Sequence, residues 1–215
     1  DLFSLMLDEK MNYSCGYWRK AKNLEQAQIN KLDLICRKLH LKPGMSVLEI
    51  GCGWGSFAKY AAENYGVSVH GVTISKEQVS YAKKSCEGRD VSFELKDYRE
   101  LNKKYDCIVS IGMFEHVGYK NYRNYMEVVN RCLKDDGLFL LHTIGRNNPG
   151  RATDPWINKY IFPNGMTPSS SQICESIEGL FVIEDWHNFG QDYDATLMAW
   201  HENFQKNFDI LTGTY

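Results

Sequence analysis

Residues Val47–Gly55 read Val-Leu-Glu-Ile-Gly-Cys-Gly-Trp-Gly: an apolar strand pattern that stops in three glycines at alternate positions. The run that follows, Ser56–Ala62, reads as a helix. Glycines at such a turn let a ligand approach bare backbone that side chains would otherwise block. A tight turn without a ligand would not require three glycines within Gly51–Gly55. The loop therefore places a nucleotide-type ligand at a strand end and fixes where the other candidate sites must lie.

Around this loop, strands and helices alternate. Apolar residues Leu24, Ala27, Leu32, Ile35, Cys36 and Leu39 recur near a helical period over 24–40, and Lys42-Pro43-Gly44 ends that helix. Ser46–Ile50 is the first expected strand, Val67–Val72 the second, Val91–Leu95 the third, Tyr105–Ile111 the fourth and Leu138–Thr143 the fifth. Helices are expected over 75–85, where Ser75 and Gln78 resemble a capping box, and over 119–133, closed by Lys134-Asp135-Asp136-Gly137. The alternation predicts an α/β fold with a doubly wound, mostly parallel sheet. Ligands bind such sheets beyond the carboxyl ends of the strands, so Gly51, Thr73, Asp97, Gly112 and Thr143 should mark one rim.

The segment 145–172 interrupts the alternation with Gly, Asn, Pro, two Arg and then Trp156, Tyr160, Ile161 and Phe162, and reads as a lid or long insertion. A strand over Phe181–Glu184 and a helix over Tyr193–Phe208 follow. One domain is expected in all: a flap over 1–23, a cofactor-binding core over 24–144, the lid, and a C-terminal strand and helix over 173–215. The chain starts without Met and ends in a helical pattern, which suggests a fragment.

Size and composition restrict the partners. The 215 residues suit a single domain with a sizeable core, and a net charge of −2 gives no global pull toward nucleic acid or anionic lipid. No apolar run approaches the roughly 20 residues needed to span a bilayer, and no signal-peptide pattern opens the chain. The seven scattered cysteines form no CxxC pair, so neither a zinc site nor a disulfide framework is expected, and a reducing cytoplasm is the natural setting.

Glycine spacing separates two cofactor classes. A dinucleotide site wants G-x-G-x-x-G around a pyrophosphate, whereas Gly51, Gly53 and Gly55 are spaced G-x-G-x-G. Glu49 in the strand, next to Gly51-Cys52-Gly53, would repel phosphate and tolerate a cation, which suits the sulfonium and ammonium of S-adenosylmethionine. Past the second strand, Thr73 and Gln78 could hydrogen-bond ribose hydroxyls, and Asp97-Tyr98 could hold adenine between a polar edge and a ring. Met11–Trp18 is dense in rings and small polar groups, as a flap shielding a reactive methyl from water would be. Glu115 and His142 follow neighbouring strands and should meet on the rim.

Six motifs together resemble the cyclopropane-fatty-acyl-phospholipid synthases: Tyr13-Ser14-Cys15, Gly51–Gly55, Thr73–Gln78, Phe114–Gly118, Leu141–Gly145 and Gly190–Asp194. Asp192–Trp200 resembles the bacterial lipid-acting branch more than the mycolic-acid branch. The resemblance implies a Rossmann-like class I methyltransferase fold and transfer of a methylene unit from S-adenosylmethionine to a cis double bond of an acyl chain. A carbocation would form there and lose a proton to a bound bicarbonate. That ion would be held by Cys15, Glu115, His142, Ile144 (through its backbone) and Tyr193. Tyr13 and Ser14 would meet the methionyl end of the cofactor; Gly51, Gly53, Thr73, Gln78 and Tyr98 would meet its remaining parts.

The implied substrate is a membrane phospholipid with an unsaturated chain, met transiently at the inner membrane surface by a cytoplasmic, peripheral enzyme. Arg146, Arg151, Trp156 and Phe162 are the expected lipid contacts. The lipid-acting relatives carry a further N-terminal domain and a longer C-terminal part, so weak activity is expected of these residues alone, and a fuller form could pair as a homodimer. Two other readings fit the same motifs: a small-molecule amine N-methyltransferase, and a lipid-binding relative without catalysis. His142, Ile144 and Tyr193 favour the first-named chemistry over both.

Overall fold

A computed structural model describes residues 2–212. Its elements run α1 (Leu2–Met6), α2 (Leu24–Lys38), β1 (Ser46–Ile50), α3 (Ser56–Tyr65), β2 (Ser68–Thr73), α4 (Lys76–Ser85), β3 (Val91–Leu95), β4 (Tyr105–Ile111), α5 (Tyr122–Cys132), β5 (Leu133–His142), α6 (Pro155–Tyr160), α7 (Ser170–Ile177), α8 (Asp192–Lys206) and α9 (Phe208–Thr212). The five strands form one sheet in the order β3-β2-β1-β4-β5, and every neighbouring pair is parallel.

Two cores sandwich this sheet. Side chains alternate across a strand, so Val47, Val69, Cys107 and Val109 face one side and Leu48, Ile50, Val72 and Ile108 the other. The first set packs on Leu32, Ile35 and Cys36 of α2, Phe57 and Ala58 of α3 and Ala82 of α4. The second packs on Tyr122, Tyr125, Met126 and Val129 of α5. The helices change sides between β1 and β4, where the strand order reverses, and a crevice opens at the carboxyl ends of those two strands.

Several expectations need correction. The Lys134–Gly137 run is no turn but the first part of β5. Lys134 Nζ bonds Asp106 Oδ1 at 2.7 Å, and a Cβ on Gly137 would lie 2.7 Å from the Asp106 carbonyl oxygen, so glycine lets β5 close on β4. The register between them shifts at Tyr105/Cys107. Phe181–Glu184 is not a strand; Val182 is 85% exposed and nothing pairs with its backbone among the described residues. The second strand lies one residue later than expected, and 119–121 is a 3-10 turn leading into α5. Ser75 caps α4 by accepting from the Gln78 N–H, yet the Gln78 side chain turns away to Thr73, so the reciprocal half of the capping box is not formed. No described helix is long and apolar enough to cross a membrane.

Candidate active site

The cofactor side of the crevice is built largely from backbone. Gly51 ends β1 with φ +81°, and a Cβ there would sit 2.6 Å from Cβ and Cγ of Met113. The N–H groups of Gly51 and Cys52 both donate to the Val72 carbonyl, which ties the loop to β2. Beside Gly53 (φ +52°) the space is open, whereas Cys52 is buried. At the end of β2 the Thr73 hydroxyl donates to Gln78 Oε1 at 2.8 Å and accepts from the Ser75 N–H. After β3, Asp97 caps the turn Tyr98–Glu100 and binds the Arg99 guanidinium, which holds its carboxyl below the usual range. The Tyr98 ring meets Tyr125 edge-on at 5.1 Å.

Glu49 behaves otherwise than expected. It is buried on the α2 side of β1, and desolvation pushes its carboxyl well above the carboxylate range, favouring the neutral acid. Its Oε2 has no hydrogen-bond partner among the described residues. Burial thus works against its charge, and glycine spacing carries the argument there against a bound pyrophosphate.

The other side of the crevice is built from buried side chains. Glu115 lies in the 3-10 turn Phe114–His116 after β4, and its Oε1 accepts from the Ile144 N–H at 2.7 Å, just beyond β5. Its own carbonyl accepts from the Met166 N–H at 2.7 Å, which brings the lid to the same point. Burial raises the Glu115 carboxyl, and Oε2 lacks a partner. His142 ends β5 on the α2 side of the sheet, its ring stacked on Phe189 at 5.4 Å and 21°. Desolvation, reinforced by Lys31, pulls His142 down to about 3, so the ring is neutral at physiological pH; its Nδ1 is buried without a partner. Tyr193 in the first turn of α8 is pushed up to about 12, by burial first and then by Cys15 and Glu115. Burial holds the Cys15 thiol at about 11.

The flap closes over these groups between α2 and α8. On the α8 side Thr196 Oγ1 accepts from the Gly16 N–H (3.0 Å) and Trp18 Nε1 (2.8 Å), and Asp192 accepts from the Trp18 N–H (2.7 Å). On the α2 side the Tyr17 N–H donates to the Ala27 carbonyl, while Gln28 and Lys31 hold Ser14. Tyr13 packs on Trp200 at 5.3 Å and on Phe162 of the lid at 6.0 Å, and Phe162 in turn meets His116 at 5.7 Å. Phe162 thus turns inward, and the exposed rings of the lid are Trp156 (59%) and Tyr160 (60%). Below them Lys120 and Arg151 approach the Tyr119 ring and line an open pocket of about 330 Å³.

The structure joins Glu115 to the Ile144 N–H, sets Tyr193 near Cys15 and Glu115 and places His142 at the end of β5; Gly51, Cys52, Gly53, Thr73 and Gln78 lie around the glycine loop and the end of β2, and Tyr13 and Ser14 in the flap. Asp97 differs, since its carboxylate is engaged by Arg99. Sequence reasoning missed Gln28, Lys31, Phe189 and Thr196 as parts of the site. The one available signal was a lysine at a position of α2 that the helical period assigns to the core.

Known proteins share the sequence and fold of this chain. The family model "Mycolic acid cyclopropane synthetase" matches residues 1–214. The cyclopropane-fatty-acyl-phospholipid synthase of Escherichia coli (strain K12) is 64% identical over 215 residues, covering 100% of this chain and 56% of that protein. The chain thus spans just over half the length of that relative. The solved structure of mycolic acid cyclopropane synthase CmaA1, complexed with SAH and CTAB, superposes with TM-score 0.90 at 34% identity, covering 96% of this chain and 79% of that one. Coclaurine N-methyltransferase bound to N-methylheliamine and SAH superposes with TM-score 0.85 at 27% identity, covering 97% and 66%. The fold is that of the class I S-adenosylmethionine-dependent methyltransferases.

Proposed function

The chain belongs to the mycolic acid cyclopropane synthetase family, and from that premise we propose that it transfers a methylene unit from S-adenosylmethionine to a cis double bond of a phospholipid acyl chain, forming a cyclopropane. The observation that carries this reading is a pair of buried atoms without a hydrogen-bond partner among the described residues, Glu115 Oε2 in the turn after β4 and His142 Nδ1 at the end of β5. Buried polar atoms are rarely left without partners, so each of them leaves room for a polar ligand. S-adenosylmethionine, when bound, supplies the methyl carbon on a sulfonium. Open backbone at Gly53 and the Thr73–Gln78 pair fit its nucleoside part, and Tyr13 and Ser14 fit its methionyl end.

Bicarbonate fits the other pair of atoms. When bound, it supplies the base for the proton lost as the ring closes. Glu115, already fixed at Oε1 by the Ile144 N–H, would hold it through Oε2, its carboxyl raised above the ordinary value by burial. The neutral His142 ring offers one nitrogen, and Tyr193, protonated at physiological pH, offers a hydroxyl donor. The Cys15 thiol stays protonated and so does not compete for a cationic carbon. Tyr13, packed between Phe162 of the lid and Trp200 of α8, would help to exclude water from the reacting groups.

Trp156, Tyr160 and Ile161 are exposed on and just beyond α6, next to Lys159, with Arg151 and Lys120 close by. They form the proposed contact with an anionic bilayer, rings into the acyl boundary and cations to phosphate. Co-sedimentation with anionic vesicles should fall several-fold for Trp156→Ala plus Tyr160→Ala; unchanged binding would remove this contact.

The likeness to coclaurine N-methyltransferase keeps amine methylation as the second reading. Mass spectrometry of unsaturated phospholipid incubated with the protein and S-adenosylmethionine separates the two. Gain of one CH2 with loss of the alkene supports cyclopropanation. A methylated amine with untouched lipid supports the alternative.

A further inference from the structure

Lys31 is the one cation among the buried charged residues described, 1% exposed on the face of α2 that packs against the sheet and the flap. Burying an ammonium is costly unless it is well paired. Its Nζ donates to Ser14 Oγ at 2.8 Å and to Asn12 Oδ1 at 3.2 Å, both in the flap. Three residues earlier, on the same face of α2, the fully buried Gln28 donates through Nε2 to the Ser14 carbonyl at 2.9 Å. Two side chains of one helix thus grip Ser14 at its hydroxyl and its carbonyl. Asn12 is fixed in turn by Asp8, which accepts from its N–H and its amide at 2.7 Å.

The groups that face Lys31 come from three elements. Asp8 and Cys15 lie on the flap side, Glu49 is in β1, and His142 in β5 senses its charge. Tyr13 and Cys15 flank the gripped residue, Tyr13 against the lid and Trp200, Cys15 near Tyr193. A flap peptide held at 12 and 14 leaves little freedom for 13 and 15. A salt bridge serving the helix alone would need none of these flap acceptors.

We propose that Lys31 is a positioning residue that, with Gln28, latches Asn12–Cys15 shut over the crevice and thereby aims Tyr13 and Cys15 at the reacting groups. This deepens the proposed function and rests on it for the identity of those groups, but the latch itself is a property of the protein alone. An open flap would expose the cofactor to water, and the latch sets how often that happens.

Hydrogen exchange of the full chain, followed by mass spectrometry, reads the latch directly. Peptides covering 11–18 should exchange about tenfold faster in Lys31→Met, while peptides covering β1 and β4 keep their rates. Asn12→Ala, which removes one acceptor and leaves α2 intact, should accelerate the same peptides less, and it carries the test if Lys31→Met does not fold. Affinity for S-adenosylhomocysteine by calorimetry should fall about tenfold in Lys31→Met and recover partly in Lys31→Arg. Unchanged flap exchange in the folded variants, or equal acceleration of flap and sheet, would overturn the latch. If the unsubstituted chain binds no S-adenosylhomocysteine, the proposed function fails, and the exchange pattern still decides the latch.

Discussion

The two sides of the crevice are made in different ways. The cofactor side is a local object: one glycine loop, its neighbouring strand end and a cap five residues beyond it, held by backbone conformation at Gly51 and by the Thr73–Gln78 bond. The reaction side is assembled from distant segments, with Cys15 from the flap, Glu115 after β4, His142 and Ile144 from β5 and beyond, and Tyr193 from α8. In the proposed reading, a loop shared by many enzymes binds the donor, while side chains from scattered segments decide what the donor reacts with. Substitutions on the two sides should therefore fail in different ways.

The largest effect is expected at Glu115. Glu115→Gln preserves shape and the bond from the Ile144 N–H but changes the group offered at Oε2. Turnover should fall by about 10²–10³, with affinity for S-adenosylhomocysteine nearly unchanged by calorimetry. If Gln also weakens that affinity strongly, the two sides are not separate. Gly51→Ala should show the opposite pattern. A left-handed φ and a Cβ only 2.6 Å from Met113 should cost about 3 kcal/mol in urea unfolding. Binding of S-adenosylhomocysteine should be lost with the loop's shape.

A smaller effect concerns pH. His142 is neutral in the fold, with its pKa near 3, and titrates near 6.5 when unfolded, so between these values the unfolded chain binds more protons. Stability contributed by the neutral ring is present above about 6.5 and declines as pH falls. His142 as a residue is only partly buried, so the loss between pH 6.5 and 5 should be about 1 kcal/mol. Urea unfolding at both pH values should show this difference shrinking in His142→Asn; an unaltered difference would place the titration elsewhere. Smallest is Thr73→Ala, which frees Gln78 and should weaken S-adenosylhomocysteine binding about fivefold, with turnover at saturation unchanged.

The same contrast explains what the sequence revealed. β1, β3 and β4 have the expected bounds: β1 and β4 are buried parallel strands that read as short apolar runs, and the edge strand β3 alternates apolar and polar residues. Lys134–Gly137 misled because its polarity signals a turn, whereas the Lys134–Asp106 bond and the closeness allowed by Gly137 keep it in β5. Val182 and Ile183 carry a strand-like pattern, but propensity without a neighbouring strand makes no ladder. On the reaction side, family resemblance supplied the residues that spacing could not, since Cys15 and Tyr193 meet only through the fold. Burial also weakened one inference: desolvation disfavours the charged form of Glu49, whose negative charge the sequence had set against a bound phosphate.

The most direct test measures cyclopropane formation on unsaturated phospholipid vesicles in buffer freed of carbon dioxide, while bicarbonate is added back to the unsubstituted protein and to Glu115→Gln. The rate of the unsubstituted protein should rise and saturate with bicarbonate, and that of Glu115→Gln should stay low and flat. A full rate without bicarbonate would contradict a reaction side built around a bound anion.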